Sequence, residues 1–266
     1  NLTEDVLKNI DEGLLTGIIL LDLKKAFDSI DHGIRLEKLC FLGIRGTAHK
    51  WLTSYLTSRS QYVYLNGMKS ESATVECGIP QGSVLGPLLF SIYINDLGNL
   101  IKKSNVSLYA DDTCVYFSSK NALEIKSVLE NDLQIISKWL ACNRLKLNIA
   151  KCEFLLVGTR NRIRRVNHDM TVSLNGELLK RVTNTKYLGV VIDEFLDWGA
   201  HVRCMKSKIV KCVYLLKRIR SYISQNDALL FYKTLIQCHF DYCDVVWNNI
   251  GYLEQLSVLQ KRALKI

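Results

Sequence analysis

Apolar positions recur along this chain with two different periods, and the places where the period changes mark out its elements. Residues 2–14 show a helical pattern that runs into Gly13, a residue suited to cap it. Residues 16–23 are short and almost continuously apolar, with one acid, Asp22, near the end; that is the signature of a buried strand. Helices are expected at 34–41, stopped by Gly43, and at 48–56. Residues 61–75 read as a strand or hairpin turning at Asn66-Gly67, a pair that tolerates the left-handed backbone of a tight turn. An apolar helix is expected at 88–97. Two short β-rich runs, 106–110 and 113–117, flank Asp111-Asp112 and suggest a hairpin with both acids at its turn. Residues 121–142 form an amphipathic helix with Leu129, Leu133, Ile136 and Leu140 on one stripe. Strands follow at 154–157 and 187–192, separated by a basic, irregular connection over 159–165. From His201 onward the pattern is helical and basic, which places a domain boundary near residue 200: 1–200, then 201–266.

The 266 residues are enough for one large domain or two modest ones, and 48% apolar with 23% charged is ordinary for a globular protein. A net charge of +9, from 35 Lys and Arg against 26 Asp and Glu, attracts polyanions, nucleic acid foremost, although basic charge alone is weak evidence. The nine cysteines include no CxxC pair, so no zinc site is indicated. Their odd number, without a secretory leader, points to reduced thiols in an intracellular protein of nucleus or cytoplasm, not a secreted one. No apolar run is long enough to span a bilayer, so no membrane partner is expected.

The acids carry the chemistry. Transfer of a nucleotidyl group places negative charge on both the attacking and the leaving oxygen. Two divalent ions about 3.5–4 Å apart stabilise both, and they need hard oxygen ligands on rigid, adjacent supports. Asp22 at a strand end and Asp111-Asp112 at a hairpin turn meet that need. Taken singly, each has a plainer reading: Asp22 as a helix cap and Asp111-Asp112 as a solvated turn.

The residues around them form an ordered set. Leu21-Asp22-Leu23-Lys24-Lys25-Ala26-Phe27-Asp28, Gly78-Ile79-Pro80-Gln81-Gly82-Ser83-Val84-Leu85-Gly86-Pro87-Leu88-Leu89-Phe90, Tyr109-Ala110-Asp111-Asp112, Leu147-Asn148-Ile149-Ala150-Lys151-Cys152 and Tyr187-Leu188-Gly189-Val190 occur in that order. Together they resemble the five motifs of the reverse transcriptases of non-LTR (LINE-type, jockey-like) retrotransposons, over roughly residues 15–195. The resemblance implies an α+β fold: a right-hand polymerase palm, an antiparallel sheet backed by helices, with partial fingers and a helical thumb. It implies Asp22, Asp111 and Asp112 as catalytic metal ligands, with the backbone carbonyl of Leu23 as a further ligand. The cofactor would be two Mg²⁺ ions, with Mn²⁺ as a substitute. Phe27 corresponds to the family's steric gate against a 2′-hydroxyl, and Gln81 to a contact with the incoming nucleotide and template. Gly78, Gly82 and Gly86 recur every four residues and share a bare face wherever the segment is helical, which makes Gly82 a candidate primer–template contact; that the glycines and prolines merely shape a turn is the plain alternative. Lys151 is a candidate proton donor or charge clamp for leaving pyrophosphate. Tyr187, Leu188 and Gly189 correspond to the hairpin that grips the primer end, and a surface β-turn is the plain alternative. Lys208, Lys211 and Arg218 belong to six cations between residues 206 and 220, a thumb surface for duplex phosphates or a Lys-rich solvated helix face.

The implied partners are an RNA template, a DNA primer and deoxynucleoside triphosphates. Whole elements of this kind carry an endonuclease and basic fingers segment ahead of the position of Asn1, so the chain reads as a fragment. Two other functions stay open: a catalytically idle nucleic-acid-binding remnant without fingers, and another palm-type polymerase such as a maturase or an RNA-dependent RNA polymerase. An aromatic Phe27 and the Tyr-Ala-Asp-Asp turn argue against the RNA polymerase, which would carry a small residue at the gate.

Overall fold

The computed structural model describes residues 2–166, 170–247 and 251–266. In chain order, α1 (Leu2–Asp11) leads into β1 (Leu15–Leu21), followed by α2 (His32–Phe41) and α3 (Gly46–Leu56). A ribbon follows, with outer rungs β2 (Arg59–Gln61) and β5 (Ala73–Val75) and inner rungs β3 (Tyr64–Leu65) and β4 (Met68–Lys69). Its turn is Asn66-Gly67, both at positive φ, as the sequence predicts. Next come α4 (Gly86–Ile94), α5 (Leu97–Leu100), β6 (Asn105–Tyr109), β7 (Asp112–Ser119) and the long α6 (Ala122–Cys142), capped by the Asn121 side chain. The expected single helix at 88–97 is thus two, breaking at Asn95-Asp96.

After β8 (Glu153–Val157) the basic stretch is not irregular. It is a one-and-a-half-turn helix, α7 (Arg160–Arg165), anchored by Ile163, its one buried side chain. Small strands β9 (Ser173–Leu174), β10 (Glu177–Leu178) and β11 (Lys180–Val182) lead to β12 (Asn184–Tyr187) and β13 (Val190–Asp193). The strand expected at 187–192 is therefore a hairpin, because Leu188 and Gly189 both take positive φ and reverse the chain. The C-terminal part is α8 (Gly199–Ile219), α9 (Gln225–Tyr232), a π-helical turn (Lys233–Gln237), α10 (Cys238–Asp241), α11 (Asp244–Trp247) and α12 (Leu253–Leu264).

The central sheet has the order β11-β8-β1-β7-β6. Its ladders are antiparallel except at the β11 edge, which pairs with β8 in parallel, so the sheet is mixed rather than wholly antiparallel. Strand alternation divides β1 between two cores. Leu15, Ile19 and Leu21 join Val115, Phe154 and Leu156 against Ile125, Leu129 and Leu133 of α6 and Phe90 of α4. Ile18 joins Cys114, Tyr116, Leu155 and Val157 against Val6 of α1 and Val202, Met205, Ile209 and Val213 of α8. Helices thus cover both faces of the sheet, and α8 shares a core with it. Gly17 lets α6 come this close: a Cβ there would lie 2.5 Å from Ile125 and 2.8 Å from Leu129.

All nine cysteines are unpaired. Among the described residues, no helix is long and apolar enough to cross a membrane.

Candidate active site

The β1–β7 register pairs Leu20 with Cys114 and Leu21 with Thr113, so one further step sets Asp22 opposite Asp112. Facing residues of an antiparallel pair have Cβ atoms roughly 4.5–5.5 Å apart and point to the same side. The β6–β7 ladder closes at Tyr109 and Asp112, leaving Ala110 and Asp111 as the turn, with Ala110 in the left-handed region at φ 50°. Three carboxylates are thereby gathered where two strands run out. Partial desolvation and then the charges of Asp111 and Asp22 hold the Asp112 carboxyl above its ordinary range. Repulsion of that kind is relieved by a cation.

Asp22 is gripped by a segment far away in sequence. The side-chain amide of Asn148 donates to Asp22 Oδ2 at 3.0 Å, and the Asn148 backbone N–H donates to the Asp22 carbonyl at 2.8 Å. The Asp22 N–H reaches the buried Cys152 Sγ at 3.5 Å, and burial raises the pKa of that thiol. Leu23 bridges to Leu147, and Lys24 N–H donates to the Lys146 carbonyl at 2.8 Å. Carbonyls alternate along extended chain, so with that of Asp22 turned toward Asn148, the Leu23 carbonyl faces the opposite side, toward β7. Asn148 was not singled out from the sequence, although it stands inside a quoted motif; its neutral amide draws attention only once its partner is seen.

Three cavities meet here. One, of about 810 Å³, is lined by Asp22 and is of mixed charge, with Lys24, Lys25, Arg144, Lys146 and Lys151 alongside Asp28, Asp31 and Glu76. Arg144 also pairs with Asp31 at 2.6 Å. A smaller one, of about 150 Å³, is lined by Asp22, Asp112, Lys151 and Tyr187, so Lys151 borders both. The third, of about 610 Å³, lies between Gln81 and the foot of the β2–β5 ribbon, and Asp28 lines it as well as the first. Gln81 donates from Nε2 to Asp28 Oδ1 at 3.1 Å.

Phe27 sits on a short 3₁₀ turn, half-buried, stacked on Phe90 with ring centroids 4.6 Å apart. The glycine-rich motif is not helical before Gly86: Gly78 and Gly82 take positive φ, so the three glycines do not form one bare helical face. Gly78 is required for two reasons, its φ of +89° and the Asp28 backbone, which would stand 3.0 Å from an added Cβ. Gly82 is exposed, with nothing within 4 Å of an added Cβ. The Tyr187 side chain is buried and its hydroxyl meets Ser107 Oγ at 3.1 Å, while Tyr242 donates to the Leu188 carbonyl at 2.6 Å and packs beside Gly189. Lys208, Lys211 and Arg218 are all exposed on α8.

The donor set suits Mg²⁺, which is commonly bound by one or two carboxylates with water and substrate phosphates completing the shell. Among the described residues, no three His, Cys, Asp or Glu side chains converge tightly enough to hold a metal by themselves. The Asp22–Asp112 pair with neighbouring Asp111 supplies hard oxygens, and the adjoining cavity offers five basic side chains among its acids.

Comparison with known proteins gives three results. The family model described as reverse transcriptase (RNA-dependent DNA polymerase) matches residues 3–192. The RNA-directed DNA polymerase from mobile element jockey of Drosophila melanogaster is 28% identical over 258 residues, covering 92% of this chain and 27% of that protein. The retrovirus-related Pol polyprotein from type-1 retrotransposable element R1 2 of Nasonia vitripennis is 32% identical over 148 residues, covering 53% of this chain and 35% of that protein. The chain thus spans under a third of the jockey protein's length. Among solved structures, a telomerase from Candida tropicalis in complex with a fragment of telomeric RNA aligns with a TM-score of 0.49 at 10% identity, covering 99% of this chain and 49% of that one.

Proposed function

Since the chain belongs to the reverse transcriptase (RNA-dependent DNA polymerase) family, we propose that it is the polymerase core of a non-LTR, jockey-like element, extending a DNA primer along an RNA template. The observation that carries this reading is the facing pair Asp22–Asp112, with Asp111 beside it and a cavity lined by Asp22 and five basic side chains as well as Asp28, Asp31 and Glu76. Reverse transcriptases generally depend on divalent metal ions. Asp22, Asp111, Asp112 and the Leu23 carbonyl would hold two Mg²⁺ ions, which when bound stabilise charge on the attacking and leaving oxygens.

The chain's own residues do the rest. Lys24, Lys25, Arg144 and Lys146 line the cavity where a triphosphate would lie, and Lys151, shared by two cavities, stands ready to neutralise or protonate departing pyrophosphate. Phe27 fills the space beneath the sugar, with Phe90 holding its ring in place. Gln81, tied to Asp28, and Gly82 border the path of template and nucleotide. The Tyr187-Leu188-Gly189 turn supports the primer end, and Lys208, Lys211 and Arg218 face duplex phosphates from a thumb that begins near residue 200.

The test is Mg²⁺-dependent primer extension on an RNA template. Asp111→Ala should reduce it by at least ~10³-fold, since charge stabilisation at the reacting oxygens is lost. Extension by Asp111→Ala at the unmodified rate would refute the site. An unmodified chain that binds primer–template and never extends it would instead be the idle binding remnant.

A further inference from the structure

From residue 38 to residue 70 the chain contains no Asp or Glu, yet it carries Lys38, Arg45, Lys50, Arg59 and Lys69. This acid-free stretch also exposes its aromatics. Trp51, on α3, is 57% exposed, and it stacks on Tyr55 with rings 10° from parallel and centroids 5.8 Å apart. The Arg59 guanidinium lies over the other end of the stack, 5.7 Å from the Tyr55 centroid. On the following ribbon, Tyr62 and Tyr64 are 52% and 67% exposed. Two residues apart on an extended strand, they share a face, and Lys69, the register partner of Tyr64, sits 3.8 Å above the Tyr62 ring. Val63, Leu65 and Met68 on the opposite face are exposed too, so the ribbon projects with neither side packed into the protein.

We infer that Trp51, Tyr55, Arg59, Tyr62, Tyr64 and Lys69 form a stacking platform for single-stranded nucleic acid. Aromatic faces accept unpaired bases of any sequence, while the cations seated on those faces attract phosphate. A duplex offers no free base faces to such a surface, which selects the single-stranded form. None of the six platform residues is acidic, which favours a polyanion over a protein partner, although exposed Glu71 stands on the ribbon's return limb. The platform also leads somewhere: Arg59 and Gln61 line the same cavity as Gln81 and Asp28, and Asp28 borders the cavity that begins at Asp22. Unpaired strand held on the ribbon is thereby directed toward the carboxylates. This last step rests on the polymerase reading, whereas the binding itself does not.

The experiment is fluorescence anisotropy of the full chain with a labelled twelve-nucleotide oligouridylate and, separately, a blunt duplex of the same length, without nucleotide or metal. Trp51→Ala and Tyr62→Ala should each weaken oligouridylate binding roughly 5- to 150-fold and leave duplex affinity within about twofold. Trp51→Phe and Tyr62→Phe should restore most of the loss, since a ring remains to stack. Arg59→Gln with Lys69→Gln should make the salt dependence shallower by about one unit or more in log–log slope. Alanine variants that bind oligouridylate like the unmodified chain would overturn the platform, and so would equal losses on both ligands or phenylalanine variants as weak as the alanines. Failure of the polymerase reading would appear only in primer extension and would leave these affinities as expected.

Discussion

Replacing Asn148 with alanine isolates the contribution of a residue that tethers Asp22. The change removes the 3.0 Å bond from its amide to Asp22 Oδ2 and keeps the 2.8 Å backbone bond to the Asp22 carbonyl, so the strand stays in place while the carboxylate loses its tether. A hydrogen bond to a charged group contributes about 1.5–3 kcal/mol. Residues that orient metal ligands typically change metal affinity or activity by about 10- to 100-fold when removed. The two ranges agree, since each 1.4 kcal/mol is about tenfold. The direct assay is Mn²⁺ binding followed by the loss of the free-ion electron paramagnetic resonance signal, with no primer or nucleotide present. Asn148→Ala should bind Mn²⁺ about 10- to 100-fold more weakly, and extension should need correspondingly more Mg²⁺ while recovering at saturating metal. An unfolding midpoint close to that of the unmodified chain establishes that the effect is local. If Mn²⁺ affinity and Mg²⁺ half-saturation both stay where they were, Asn148 does not position Asp22 for metal.

Three other outcomes are expected. Phe27→Val should shift the ratio of ribonucleotide to deoxynucleotide specificity constants by roughly 10- to 100-fold toward ribonucleotides; an unchanged ratio makes Phe27 a core residue stacked on Phe90 and nothing more. Changing Lys208, Lys211 and Arg218 together to glutamine should reduce the log–log salt slope of duplex binding by roughly two to three units, and parallel lines would remove α8 from the nucleic-acid surface. Gly17→Ala drives a Cβ to 2.5 Å from Ile125 and should lower the stability of the β1–α6 packing by about 1–3 kcal/mol, read as a lower urea midpoint at constant slope.

How much of this was legible beforehand depends on what each residue's role requires. Asp22, Asp111 and Asp112 each have a plainer reading alone and stand out through the ordered motifs around them, and the register does bring Asp22 opposite Asp112. The Asn66-Gly67 turn was legible because both residues favour the backbone that the turn needs. The turn at Leu188-Gly189 is legible through the motif resemblance, whereas apolar periodicity alone runs a strand straight through it, since leucine gives no sign that it will take a φ of 45°. The 160–165 helix was read as irregular because a single apolar residue, Ile163, cannot set a period; packing of that one side chain makes the helix. The spacing of glycines 78, 82 and 86 leaves a helical face and a turn both open, and the positive φ of Gly78 beside the Asp28 backbone decides for the turn. Asn148 lies 126 residues from its partner, and no local pattern encodes that distance.

The position of the acids also accounts for the two-sided core. β1 is an interior strand, paired with β7 on one side and β8 on the other, and its side chains enter a different core at alternate positions. Such a strand has little freedom to shift, because a one-residue slip would exchange the two cores. That rigidity reaches Asp22, one residue past the last paired position, and Asp112, the first residue of the partner strand. Both carboxylates therefore sit at the end of a paired, constrained backbone, and both line the cavity of about 150 Å³. Desolvation first, and then the charges of Asp111 and Asp22, hold the Asp112 carboxyl above its ordinary range, and the paired strands limit how far the acids can move apart. The electrostatic cost persists until positive charge arrives. On the proposed reading, metal ions would relieve repulsion already in place rather than require the acids to close around them.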